Sequence, residues 1–301
     1  MASKAALSAL VPLLLVTLVL GSPLDNANPF LVGGNPAPAG AFPAQVGIQI
    51  GATRFCGGTI LNQNHILTAA GCVLDANNHL VAPNTLTVRA GALILNENAP
   101  LLAVQRIFPH QQYNPWTFEN DIAVLRLTNN ILFPVQINPN LAPAVLYQRI
   151  VPERAQCQVV GWNWQPAAQN LPLQMLNVEY ASNVACNQYH VLRDSMACTQ
   201  LTQQTHGLCE PNRGGGVYYN SQLTGVLSFG FGCTANQTMT VFTQVRYYNQ
   251  WIQQQFVRTD TPPAGPTPAP GVVGGQGGGA TSIALSLVTV LVAIVSTLCL
   301  V

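Results

Sequence analysis

The chain has 301 residues, of which 49% are hydrophobic and only 7% charged, where ordinary soluble domains carry roughly 25%. Its formal net charge is +1, from 11 basic and 10 acidic side chains. That balance excludes the basic face that nucleic acid or heparin would need, and what remains is an Asn-, Gln- and Ala-rich, nearly uncharged exterior.

In chain order, Lys4 precedes an apolar run from Ala5 to Leu20, and small residues follow at Gly21 and Ser22. This reads as a secretory signal peptide over residues 1–21, with a buried amphipathic helix as the plainer alternative. Residues 22–30 then form a short leader. Short β-prone runs separated by Gly, Pro and Asn predict strands at 45–50, 59–61, 66–69, 86–90, 102–108 and 122–127. A second set is predicted at 158–162, 173–180, 197–199, 217–219, 223–229 and 241–244. Such spacing signals an all-β barrel or sandwich, and periodicity alone does not separate the two. Tyr248, Trp251, Ile252 and Phe256 recur at helical spacing, which predicts a carboxyl-terminal amphipathic helix packed on the sheets.

Residues 258–282 read as a stalk, Pro-rich from Thr259 to Ala269 and Gly-rich from Gly271 to Gly279. An apolar run of 19 residues follows at 283–301, with no cation after it. Small residues, a spacer and a hydrophobic tail match a GPI-attachment signal, with attachment at Gly274, Gly275 or a neighbour. The alternative is a membrane span, since that run is long enough to cross a bilayer. Either way the tail makes the membrane an expected partner.

Three segments carry more specific information: Ile66-Leu-Thr-Ala-Ala-Gly-Cys72, Asn120-Asp-Ile-Ala-Val-Leu-Arg-Leu127 and Cys209-Glu-Pro-Asn-Arg-Gly-Gly-Gly216. With them, residues 31–257 resemble the trypsin/chymotrypsin family of serine proteases. The resemblance implies two six-stranded antiparallel Greek-key barrels and a terminal helix, an all-β unit that runs to roughly 220–250 residues as one domain. It also exposes what has changed. The family's Leu-Thr-Ala-Ala-His-Cys carries the general base, and that position here is Gly71. The family's Cys-x-Gly-Asp-Ser-Gly-Gly-Pro carries the nucleophile, and that position is Arg213, preceded by Asn212 in place of Asp and by Pro211 in place of the oxyanion-hole Gly. Asp121, the third triad position, is retained.

A guanidinium offers only donors and cannot act as a nucleophile. Serine and histidine act as a unit, so losing both leaves no activated nucleophile. Pro211 has no N–H for a developing oxyanion. The activation junction is altered as well: Asn28-Pro-Phe30 precedes Leu31-Val-Gly-Gly34 without a basic residue, and Asn212 lacks the charge that would receive a new amino terminus. Asp194-Ser195 lacks a Gly-rich elbow and reads as a surface turn. His65 reads as a packed or partly exposed strand residue, while His79, His110, His190 and His206 have no motif around them. No metal-ligand signature appears, and no cofactor is expected.

By the same resemblance Cys56–Cys72, Cys186–Cys198 and Cys209–Cys233 pair, in keeping with an extracytoplasmic protein. The usual partner of Cys157 is replaced by Tyr219, so Cys157 is expected as a free, buried thiol, and Cys299 leaves with the tail. Asn236-Gln-Thr238 is a glycosylation sequon. Gly207 stands at the base of the specificity pocket, and Ser228, Phe229 and Gly230 match the segment that lines substrate. These residues either preserve a groove for an extended segment or only keep the fold. Asp121 and Arg213 leave two placements open: Arg213 forks its guanidinium onto the carboxylate, or it points to solvent while water fills the gap.

The leading functional expectation is a secreted or cell-surface, catalytically inactive protease homologue. It would bind an extracellular protein or glycan in a proteolytic or immune cascade, with no nucleic acid partner. The alternatives are a weak or unconventional hydrolase, which needs a nucleophile and base not visible here, and an azurocidin-like microbe binder, whose strongly basic surface the +1 charge does not supply.

Overall fold

The computed structural model describes residues 31–32, 34–52, 54–95, 100–133, 138–162, 171–181, 183–187, 191–201, 207–208, 213–230 and 239–258. The signal peptide, leader, stalk from residue 259 and tail lie outside them, as do Cys209, Pro211, Asn212, Cys233 and Asn236. Among the described residues, no helix is long and apolar enough to cross a membrane.

In chain order the strands are β1 (Leu31–Val32), β2 (Asn35–Pro36), β3 (Gln45–Ile50), β4 (Arg54–Asn62), β5 (His65–Thr68), β6 (Leu86–Ala90), β7 (Ile94–Leu95), β8 (Leu101–Pro109) and β9 (Ala123–Leu127). They continue as β10 (Gln156–Trp162), β11 (Leu171–Ala181), β12 (Met196–Leu201), β13 (Gly207–Leu208), β14 (Gly216–Tyr219), β15 (Gln222–Gly230) and β16 (Met239–Gln244). A one-turn helix, α1 (Asn183–Cys186), precedes β12, and α2 (Val245–Val257) follows β16 without a break.

Strands β3-β4-β5-β9-β8-β6 close into one antiparallel barrel. A second barrel runs β10-β14-β15-β16-β12-β11 and closes through the β10–β11 ladder. Alternation drives both. In β6 the side chains of Leu86, Val88 and Ala90 are buried while Thr87 and Arg89 are half-exposed, the period-two signature of a strand with one face on a core. Val46, Ile48, Ile60, Leu67, Phe108 and Leu125 fill the first barrel, and Val159, Val178, Val217, Leu227 and Phe242 the second. Tyr248 and Ile252 of α2 are buried as the helical spacing required.

The largest departure from the sequence-derived strands is β4, which begins at Arg54 rather than at residue 59. Gly57 and Gly58 read as turn punctuation, yet they lie mid-strand because neighbours press against them. A Cβ on Gly57 would come within 2.6 Å of the Gly215 backbone, where the two barrels meet. The two-residue strands β1, β2, β7 and β13 and the one-turn α1 had no signal of their own, being too short to show a period.

Candidate functional site

The retained and altered triad positions converge where the barrels meet. Gly71 lies in the 3-10 turn Ala70–Cys72 that follows β5, and the Cys56–Cys72 disulfide ties this turn to β4. Asp121 leads into β9, after a loop in which Phe118 and Asn120 both take left-handed backbone, with φ of 55° and 59°. Asn tolerates that region, but an aromatic residue there is uncommon and strained. Arg213 precedes β14. Ser228 sits at an irregularity of β15, where Leu227 pairs with Phe242 and Phe229 with Val241, so Ser228 has no partner of its own. This bulge re-aims its hydroxyl into the site.

Asp121 is fully buried, and its carboxylate is fully occupied. Oδ1 accepts the Gly71 backbone N–H at 2.8 Å. Oδ2 accepts the Ser228 hydroxyl at 2.6 Å, Arg213 Nη2 at 2.7 Å and Arg213 Nε at 3.2 Å. Of the two placements open to Arg213, the structure takes the inward one. Its Nη2 also donates to the Tyr113 hydroxyl at 3.1 Å, and the Phe118 ring lies 5.2 Å from its central carbon. Phe118 in turn stacks on Phe229, with ring centroids 4.5 Å apart and planes inclined by 29°.

Burial works against the charge on Arg213, but Asp121 first and Tyr113 second outweigh it, and the net direction is upward. The guanidinium is therefore a permanent cation. Burial, then the Asp121 charge, pushes the Tyr113 phenol up to about 12, so it is neutral under physiological conditions. The guanidinium and the phenol thus each keep one protonation state near neutral pH, and the Ser228 and Tyr113 hydroxyls bond to the ion pair. The arrangement is a charge-assisted hydrogen-bond network around a buried carboxylate.

Sequence reasoning named Gly71, Asp121, Arg213, Ser228 and Phe229, and the fold brings these together. It assigned Ser228 and Phe229 to a substrate-lining segment; in the structure Ser228 binds Asp121 and Phe229 closes over Phe118. Gly230 pairs with Thr240, and Gly207 pairs with Val32 in the short β1–β13 ladder, away from these hydrogen bonds. Tyr113 and Phe118 were missed, since they lie in a loop with no motif. Thr243, whose hydroxyl donates to the Asp121 carbonyl at 3.0 Å, gave no signal either.

The described histidines, His65, His79 and His110, make other contacts, and His190 and His206 lie outside the described residues. His65 is buried, with Nδ1 bonded to Asn62 Oδ1 at 2.9 Å and Nε2 accepting from Arg126 Nε at 3.4 Å. Burial, then the Arg126 charge, lowers it to about 4, so it is neutral. His110 packs on Tyr248 and Trp251, and His79 lies in an exposed turn with Asp75. Asp194 and Ser195 serve through their carbonyls, which accept from Gln244. Among the described residues, no group of three His, Cys, Asp or Glu side chains could hold a metal. Cys186 and Cys198 are paired, and Cys157 is a buried free thiol.

This architecture has matches among known proteins. A family model described as Trypsin matches residues 31–252. The chain is 29% identical over 252 residues to Serine protease 1 of Rattus norvegicus, which covers 82% of this chain and 98% of that relative. It is 28% identical over 253 residues to Cationic trypsin-3 of Rattus norvegicus, with 82% and 98% covered. It is also 28% identical over 229 residues to Trypsin of Sus scrofa, with 74% and 94% covered.

Proposed function

The chain belongs to the trypsin family, and from that premise we propose that it is a non-catalytic member acting as an extracellular binding or regulatory protein. One observation carries this reading: the nucleophile position is a guanidinium held on the Asp121 carboxylate, with no side chain at the base position. The Ser228 hydroxyl donates to that same carboxylate, and among the described residues no imidazole is bonded to it. Phe118 stacked on Phe229 supports the reading further, because rings in contact leave no slot between them for a peptide.

The ligand is an extracellular protein or glycan, bound without help from a strong surface charge. Residues 1–21 direct secretion, the 283–301 apolar run is the attachment signal that is removed, and a GPI anchor added at Gly274, Gly275 or a neighbour holds the domain to a membrane. The decisive test exposes the purified protein to a fluorophosphonate probe and a broad peptide library. No labelling and no cleavage are expected. Stoichiometric labelling of any serine would overturn the reading and establish an unconventional hydrolase. Recovering proteins and glycans bound to the ectodomain from its native fluid identifies the ligand class.

A further inference from the structure

We propose that the Arg213 guanidinium is a resident occupant of the former cleft that clamps the two barrels together through Asp121, and that position 71 is glycine because this occupant takes its space. The inference rests on local geometry and holds whatever partner the protein binds.

The bonds on Asp121 cross between barrels. Asp121 leads into β9 of the first barrel, whereas Arg213, Ser228 and Thr243 belong to the second, and all three donate to it. Without Arg213, Oδ2 would keep only the Ser228 hydroxyl, and a buried charge would lose its counter-ion. The surroundings match a guanidinium in each respect: an anion, a phenolic oxygen that accepts at 3.1 Å, and an aromatic ring at 5.2 Å.

Gly71 has its own reason. Its backbone is not among the left-handed glycines, which are Gly40, Gly51, Gly91 and Gly214 among the described residues, so conformation does not require glycine there. A Cβ at 71 would instead collide with the central carbon and both terminal nitrogens of Arg213, and these are its three nearest neighbours. The guanidinium excludes a side chain for as long as it stays on Asp121. Gly71 and Arg213 are thus one coupled element: neither reverts to a catalytic residue without the other first giving way.

Thermal unfolding of the full-length chain product tests this with G71A, R213A and the double variant. Each single change is expected to lower Tm by roughly 10 °C. The double variant should melt with R213A, because alanine at 71 costs nothing once the guanidinium is gone. Low-millimolar methylguanidinium should raise the Tm of R213A but not of the parent, while N-methylurea raises neither. Equal falls from G71A in both backgrounds, an R213A protein as stable as the parent, or no methylguanidinium rescue would each overturn the proposal. If R213A does not fold, R213A/D121N removes the stranded charge and should restore folded protein; failure to do so overturns it as well.

Discussion

Ser228 and Cys157 show how single side chains divide between site and core. Ser228→Ala removes one donor from a buried carboxylate while Arg213 keeps its charge compensated, so a loss of about 1.5–3 kcal/mol is expected from denaturant unfolding. A loss under about 0.5 kcal/mol would mean that the 2.6 Å contact contributes little. Cys157 lies on β10 among Val159, Val178 and Leu227 of the second core. Burial pushes its thiol up to about 12, so almost no thiolate exists at neutral pH. Iodoacetamide should leave Cys157 unlabelled in native protein at pH 8 and alkylate it after unfolding, as peptide mapping would read. Rapid native labelling would contradict its burial.

At the scale of elements, α2 starts without a side-chain cap at Gln244 and carries no basic residue in its last turn, which Arg258 follows as the C-cap. A further cation reaches its carbonyl end from another element: Arg126 on β9 donates Nη2 to the Phe256 carbonyl at 2.9 Å. Arg126 also donates to His65, whose ring lies 4.9 Å from that of Phe256. Arg126→Met should therefore speed amide hydrogen exchange in the last turn of α2 about tenfold, with little effect in the second barrel. The same cluster sets an acid sensitivity. The folded-state value of His65 lies near 4 and the unfolded value near 6.5, so the neutral form is favoured by folding. This contribution is complete above pH 6.5 and is lost as pH falls toward 4, by roughly 2 kcal/mol after allowing for solvent screening. His65→Gln should flatten the decline in Tm across that window; an unchanged decline would assign it to other groups.

For the molecule as a whole, the two barrels meet at a seam where glycine faces glycine and one buried ion pair crosses. That seam holds the catalytic cleft in the family pattern, and here it holds a neutralised contact. The whole chain carries a net charge of only +1, so the proposed binding should depend little on ionic strength. The proposed tether is open to direct measurement. A phosphatidylinositol-specific phospholipase should release the protein from expressing cells, and the released form should lack the 283–301 peptide. Finding that peptide in the mature membrane-bound form would establish a span instead.

Fold class and the positions that make up the candidate site were legible in the sequence because both rest on local signals. Alternating burial marks strands such as β6, and Gly71, Asp121 and Arg213 sit inside short motifs whose spacing survives although two of the three residues have changed. The unpaired Cys157 followed in the same way, from Tyr219 standing at its partner's usual place. What only the tertiary structure decided was direction and contact across long separations. Whether Arg213 faced Asp121 or solvent depended on a contact between residues 92 positions apart, on the bulge that turns Ser228 inward and on the backbone that carries Phe118 over the guanidinium. The extent of β4 was hidden for a related reason: glycine demanded by a neighbouring chain is indistinguishable in sequence from glycine demanded by a turn.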